Sequence, residues 1–297
     1  MSRAPGAAQA PLVSVIILTY NEEANLPACL ESLAALRAEV LLVDSGSTDR
    51  TMEIAQAAGV AVYEHPFDHY AAQRNWAQRN LPLECEWVLH LDADERLTPE
   101  LVAEINSVVE HAPADIAGFL LRKRTVFMGR WMRHGGHYPS YHLRLFRKHS
   151  GGCEERLYDQ HYLVDGEARE LTHDYIDVLT SDLSVWSARH VRWAELEARE
   201  ILNGHNGAGR VRAEAFGNPL ERKRWLREGV YGRSPLFLRA FLYWFYRYFI
   251  RLGFLDGKEG LIFHFLQGLW FRFLVDAKLS EIRRQERNGR VPGQPPR

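Results

Sequence analysis

The stretch WVLHLDADERLTPE (87–100) sets Asp92 and Asp94 one residue apart at the end of an apolar run. In an extended chain, residues i and i+2 point the same way, so both carboxylates can face one ligand from a strand's end. Like charges this close repel and call for a cation beside them. Hard carboxylate oxygens suit Mg2+ or Mn2+, ions that keep open positions for phosphate oxygens. Alone, such a pair reads equally well as a solvated turn. Two other polar stretches follow apolar runs in the same way: TYNEE (19–23) and DSGSTD (44–49). In the second, Gly46 and small hydroxyl residues such as Ser45 lead toward a helix. That turn can cradle a ribose or phosphate, with Asp44 accepting from ribose hydroxyls or a base N–H, or it can be a capped helix start. It is not GxGxxG, so a dinucleotide site of the usual kind is disfavoured.

A frame is needed to bring these stretches together. LVSVIILT (12–19) is a continuous β-branched run, the mark of a strand buried on both faces. EVLLVD, VAVYEH and EWVLHL repeat that character. Between them NEEANLPACLESLAALRA reads as a helix with Pro27 in its first turn. STDRTMEIAQAAG reads as a second helix, with Ser47 or Thr48 as cap and Gly59 as stop. YAAQRNWAQRN is a third, and TPELVAEINSVVEH opens on Thr98 as cap and Pro99 in the first helical position. The βαβα rhythm predicts a mostly parallel sheet flanked by helices. Ligands bind beyond the carboxyl ends of such strands, which puts all three polar stretches on one rim. Past Pro113 the rhythm changes. AGFLLRKRTVFMG and SYHLRLFRK read as strands, and SVWSARHVRWAELEAREIL as a helix. The loop between those strands gathers Arg130, Arg133, His134, His137, Tyr138 and, in the following strand, Arg144. Basic and aromatic groups together suit an acceptor with phosphate and sugar rings, or simply balance an acidic rim.

The 297 residues carry a net charge of −1, so no overall field selects a nucleic acid. From Glu221 onward there are 16 Lys and Arg against 7 Asp and Glu, while the first 220 residues have 21 against 31. A basic end fits either an anionic partner or an Arg-rich surface that solvates the fold. Cys29, Cys85 and Cys153 show no metal or disulfide spacing, which fits a reducing compartment. Residues 1–11 read as a disordered leader and 286–297 as a disordered end. No run of 18 uncharged apolar residues is present. Residues 234–279 are instead dense in Phe, Tyr, Trp and Leu. Arg239, Arg247 and Arg251 fall within an arc of about 120°, and His264, Gln267, Arg272 and Asp276 within roughly half a turn. Two readings follow: helices packed on their own core, or helices lying in a membrane interface with arginines toward lipid phosphates.

Three motifs in order, SVIILTYNEEANLPACLESL, VDSGSTDRT and LDADE, make residues 12–100 resemble the nucleotide-sugar half of an inverting family-two glycosyltransferase with the GT-A (Rossmann-like) fold. GRWMRHGGHYPSYHLRLFRK is similar to the subgroup that builds lipopolysaccharide core and exopolysaccharide. The resemblance implies a GT-A domain over 12–230, split into a nucleotide-sugar half (12–112) and an acceptor half (113–230). Amphipathic membrane-interface helices follow over 231–285. It implies donor contacts from Thr19, Tyr20, Asn21, Glu22, Asp44, Ser45, Arg74, Asn75 and Asp92. A divalent metal would sit at Asp94 and Asp92, and acceptor contacts would come from Arg133, His137, Tyr138 and Arg144. The catalytic base is a carboxylate: Asp159 stands where relatives carry a short acidic motif, with Glu155 and Glu154 beside it. YDQH departs from the family's simple acidic pair. His161 could orient Asp159, although His161 and His173 also suit structural roles. The implied reaction moves a sugar from a nucleoside diphosphate, UDP being the family's commonest carrier, to a lipid-linked glycan at the cytoplasmic face of the inner membrane. A nucleotidyltransferase is an alternative that lacks its Gly-rich phosphate loop and Lys here. A non-catalytic, membrane-peripheral sugar-nucleotide binder would need no base.

Overall fold

The computed structural model describes residues 10–156, 158–179, 182–203 and 214–288. Most of the expected leader and tail lies outside the described residues. Ala10 and Pro11 have no regular structure, whereas the last helix runs to Arg287. The chain forms two compact units from alternating segments. The first takes residues up to 124, 141–153 and 161–178; the second takes 125–140, 154–160 and 179 onward. Neither unit is a continuous span such as 12–230 or 231–285.

In the first unit the apolar runs become β1 (Val13–Thr19), β2 (Ala38–Asp44), β3 (Ala61–Glu64) and β4 (Trp87–Asp92). They alternate with α1 (Leu26–Ser32), α2 (Thr51–Ala57) and α3 (Tyr70–Asn80). Both early helices are shorter than their sequence pattern. Asn21, Glu22 and Glu23 are drawn into a loop–loop interface, so α1 waits until Leu26. Ser47 and Thr48 do not cap α2: Ser47 hydrogen-bonds Asp44, Thr48 N donates to Asn21, and Asp49 instead accepts from Thr51 N at 2.9 Å. Pro27 does sit in the first turn of α1.

After β5 (Glu95–Leu97), α4 (Pro99–His111) starts as its sequence predicts, Thr98 Oγ1 accepting from Leu101 N. Next come β6 (Ile116–Phe127), β7 (Arg130–Trp131), β8 (Ser140–Arg147), β9 (Gly151–Cys153), β10 (Tyr162–Val164) and β11 (Glu167–Leu179). The main sheet runs β3-β2-β1-β4-β8-β6-β11-β5. Its first four strands are parallel, while β8 meets β4 and β5 meets β11 antiparallel. Register carries the functional consequence. Thr19 pairs with Asp44 and Leu18 with Asp92, so β1, β2 and β4 end level with one another. Val13, Val15, Ile17, Leu42, Leu89 and Leu91 fill one side against α1 and α4. Ile16, Leu41, Val43 and Val88 fill the other against α3.

The second unit is mainly helical. β7 pairs with the end of β6, and α5 (Leu183–Leu202), α6 (Pro219–Trp225), α7 (Leu238–Phe245), α8 (Gly257–His264) and α9 (Phe271–Arg287) follow. Helices α5 and α9 pack through Ala194, Phe271 and Val275, then Ala198, Leu279 and Ile282. Phe127, Met132 and Phe263 form a further cluster. The aromatic-rich end is thus part of the unit's core, and its polar stripe is turned inward. Arg239 Nε donates to Asp276 at 2.8 Å and Arg247 Nε to Gly135 O at 2.6 Å, both arginines being buried. Arg272 pairs with Glu197 at 2.8 Å, and Gln267 meets His190 at 3.0 Å. This corrects the expectation that Arg239 and Arg247 reach lipid phosphates: a buried carboxylate and a carbonyl hold them, and only Arg251 of the three is exposed. What faces outward is apolar. Phe241, Leu242, Phe245, Phe249 and Ile250 are each more than 40% exposed. Among the described residues no helix is long and apolar enough to cross a membrane.

Candidate active site

The level ends of β1, β2 and β4 carry the three polar stretches. Asp44 is buried and fully committed. Its carboxylate accepts from Thr19 Oγ1 (2.9 Å), Gly46 N (2.9 Å), Ser47 N (2.7 Å) and Ser47 Oγ (2.5 Å). Gly46 has φ +88, a conformation that favours glycine and lets its N–H turn back onto Asp44. Asn21, at φ +56, receives Thr48 N on Oδ1 (2.8 Å) and donates its own N–H to Ser47 Oγ (2.9 Å). Glu22 N donates to Thr51 Oγ1 at 2.8 Å and Ser45 Oγ accepts from Gln73 Nε2 at 3.1 Å. The loops after β1 and β2 are therefore zipped into one rim. Tyr20 projects from it at 59% exposure, an open ring on an otherwise cross-linked edge.

At the end of β4 the two aspartates differ. Asp92 accepts from Arg74 Nη2 on both oxygens (3.2 Å) and from Arg144 Nη2 (3.1 Å). Burial works to raise its pKa, but the two guanidiniums outweigh that and hold it well below the ordinary carboxylate range. Arg144 also donates to Glu95 at 2.6 Å, and Glu95 accepts from Asp92 N at 2.9 Å. Glu95 is pushed up to about 7 by burial, with Asp92 and Asp177 adding to the rise against Arg144. Asp94 stands apart. Among the described residues its carboxylate has no hydrogen-bonded or ion-paired partner. Burial first, then Asp177, Asp92, Glu95 and Glu22, raise its pKa well above the usual value. A hard-oxygen donor surrounded by four carboxylates without its own counter-charge fits a divalent cation. Among the described residues no three His, Cys, Asp or Glu side chains form a ready cage. An ion at Asp94 would therefore take most of its oxygens from the ligand and water.

The sequence-derived candidates sort unevenly. Thr19, Tyr20, Asn21, Glu22, Asp44, Ser45, Arg74, Asp92 and Asp94 lie in the first unit at or beside this rim. Asn75 is directed elsewhere: its side chain donates to Cys153 O and accepts from Cys153 N, both at 2.9 Å, and it pins β9. That corrects its assignment as a nucleotide contact. Arg144, expected at the acceptor, is buried against Asp92 and Glu95, because β8 pairs with β4 and delivers it there. Arg133, His137 and Tyr138 belong to the second unit, as do Glu155 and Asp159. Asp159, at φ +56, is bound by Arg227, and Glu155 is exposed. Glu95 and Asp177 were missed. Glu95 closes the DADE motif and was open to inspection. Asp177 is an alternate position in a late strand, and only the pairing of Asp177 with Glu95 brings it to this site.

The chain belongs to glycosyl transferase family 2: the family's model matches residues 14–164, which include the whole rim. The enzyme is a glycosyltransferase, and its α/β fold is the GT-A type the motifs implied. A glycosyltransferase of Rickettsia bellii is 25% identical over 278 residues, covering 91% of this chain and 86% of its own. The lipopolysaccharide core biosynthesis glycosyltransferase LpsC of Rhizobium meliloti is 35% identical over 147 residues, 47% of this chain and 52% of its own. Among solved structures, S. aureus TarS (residues 1–349) in complex with UDP superposes with TM-score 0.45 at 16% identity, covering 95% of this chain and 93% of that one. Family membership sets aside the nucleotidyltransferase and the non-catalytic binder.

Proposed function

We propose that this glycosyltransferase inverts the anomeric centre while moving a sugar from a nucleoside diphosphate, with UDP as carrier, to a lipid-linked glycan. The work belongs to lipopolysaccharide or cell-surface polysaccharide synthesis at the cytoplasmic face of the inner membrane, where the enzyme is peripheral. The observation that carries the reading is Asp94, an uncompensated carboxylate on the same rim as the zipped β1 and β2 loops. The likeness to LpsC over half of each chain supports the acceptor class.

In this reading Tyr20 and the rim of Thr19, Asn21, Glu22 and Ser45 receive the nucleoside. Asp44 acts by holding that rim in shape. Arg74 and Arg144 fix Asp92 as an anion and present their remaining N–H groups toward the departing diphosphate. Asp94, with Asp92 beside it, would hold Mg2+ or Mn2+, which would supply positive charge for that leaving group. The acceptor hydroxyl attacks the anomeric carbon, the bond to the diphosphate oxygen breaks, and the hydroxyl proton passes to a carboxylate. Asp159 and Glu155 are candidates for that base. Asp177 joins them because it neighbours Asp94, although Lys123 Nζ holds it at 2.8 Å. Arg133, His137 and Tyr138 contact the acceptor.

The test uses a panel of nucleotide sugars, scored by metal-dependent thermal stabilisation and then by transfer. Asp94→Asn is expected to stay folded, lose metal-dependent donor binding, and lose transfer by roughly a hundredfold or more. Full metal-dependent transfer by that variant refutes the assignment. Asp159→Asn, Glu155→Gln and Asp177→Asn, compared for kcat at saturating donor, identify the base.

A further inference from the structure

We infer that residues 249–258 of the second unit form a wedge that enters the headgroup region of an anionic bilayer and carries the Arg130–Tyr138 loop to its phosphates. The proposal rests on the reading that the acceptor is held in a membrane. It names the surface that reaches it.

Three observations converge on this segment. First, its apolar side chains are exposed: Phe249 43%, Ile250 62%, Leu252 46%, Phe254 42% and Leu255 49%. Leu252, at φ +59, starts the tight turn Gly253–Asp256 that makes this a corner between two helical segments. Second, exposed cations collar the corner: Arg251 and Lys258 on the segment, and Arg133 with Arg130 on the adjoining loop, Arg130 being paired with Glu259 at 3.7 Å. Apolar groups flanked by cations suit a surface that is hydrocarbon inside and phosphate at the rim. Third, the loop is fastened to the corner. Gly135 N donates to Arg251 O at 2.8 Å, Arg130 Nη2 reaches Leu255 O at 3.4 Å, and His134 binds Asp256 through N (2.9 Å) and Nδ1 (2.6 Å). Gly135, at φ +68, lies where a side chain would overlap the His264 ring, so the loop sits flush against α8. Whatever depth the corner reaches, the loop follows.

Polar residues at the base of the corner are already satisfied internally. Arg247 is bound to Gly135 O, and Asp256 is buried beneath His134. The cations left outward are the collar. Electrostatic attraction should bring the corner to the surface, and burial of its five apolar side chains should hold it there.

The experiment measures co-sedimentation of the full chain with vesicles of phosphatidylcholine alone and with 30% phosphatidylglycerol. The wild type should partition to the anionic vesicles. The triple variant Leu252→Ser, Phe254→Ser, Leu255→Ser should bind them at least about tenfold more weakly. Its thermal stabilisation by Mn2+ and nucleotide sugar should match the wild type, showing that it is folded. Arg251→Glu with Lys258→Glu should lose the preference for anionic lipid. A triple variant that partitions like the wild type overturns the proposal. So does a wild-type dimer, seen by light scattering, that the triple variant splits while neither binds vesicles. Wild-type enzyme that transfers sugar with metal but ignores vesicles removes the wedge and leaves the glycosyltransferase intact. Vesicle binding as expected, without transfer to a lipid-linked acceptor, removes the acceptor assignment and leaves the wedge.

Discussion

Asp44 shows how a residue can be right in place and different in use. Its position at the end of β2 was legible from the apolar run before it and the Gly46 turn after it. Its occupation was not, because spacing does not reveal that Thr19, Gly46 and Ser47 between them fill both carboxylate oxygens. A fully accepting carboxylate is a brace. Asp44→Asn keeps the shape but sets an NH2 against donors. It is expected to cost about 1–3 kcal/mol in urea unfolding and to weaken donor binding through the loosened rim. A direct ribose contact would instead cost affinity with stability unchanged. Asp92 and Asp94 carry the same lesson. Their motif announced a pair, but Arg74 comes from a helix and Arg144 from a strand about 50 residues later. Only the folded chain separates a neutralised aspartate from one whose charge is left uncompensated.

Elements were easier to read than partnerships. The β1 to β4 strands and α3 follow from continuous apolar runs and their spacing, and α4 from Thr98 and Pro99. The ends of α1 and α2 did not, since side chains reserved for the loop–loop zipper no longer serve as caps. The antiparallel half of the sheet was equally hidden: β8 and β11 have recognisable composition, but no local signal says that one lies beside β4 and the other beside β5. Asn75 illustrates the cost. Read from α3 alone it faces a ligand; in the folded unit it stitches α3 to β9. Asn75→Ala should leave Cys153 N and O without this partner and cost about 1–3 kcal/mol. The melting temperature should fall by about 2–4 °C for each kcal/mol, with donor KM unchanged. A raised KM at constant melting temperature would return Asn75 to the nucleotide.

For the whole molecule, the second unit turns Arg239, Arg247 and Asp276 inward and leaves Phe241, Leu242, Phe245, Phe249 and Ile250 outward; the helical wheel put the arginines on one arc but did not say which way that arc faces. His190 gives this interior a pH signature. Nδ1–H donates to Trp186 O at 2.8 Å, which leaves Nε2 to accept from Gln267 at 3.0 Å, so the neutral ring fits and the cation does not. Burial, together with Arg189 and Arg272, pushes its pKa down to about 4. The folded value lies below the unfolded value of about 6.5. The stabilisation is therefore complete above that pH, falls as pH drops from 6.5 toward 4, and amounts to at most about 3 kcal/mol. His190→Gln should flatten the decline in urea midpoint over that window; an equally steep decline removes His190 as its cause.

The alternation of segments also sets an order of assembly during synthesis. Everything the first unit needs has left the ribosome once residue 178 is clear, so its sheet can close early. The stretches 125–140 and 154–160 emerge in that same window, yet their partners lie in later helices: Phe263 of α8 for Phe127 and Met132, and Trp193 of α5 with Phe271 of α9 for Tyr158. Until then Phe127, Met132 and Tyr158 have no core to enter, and the nascent chain carries them uncovered. The growing polypeptide thus passes through a stage with a finished first-unit rim and a sticky, unfinished second half. Shortened chains ending before Phe271 should therefore aggregate instead of yielding a tidier enzyme.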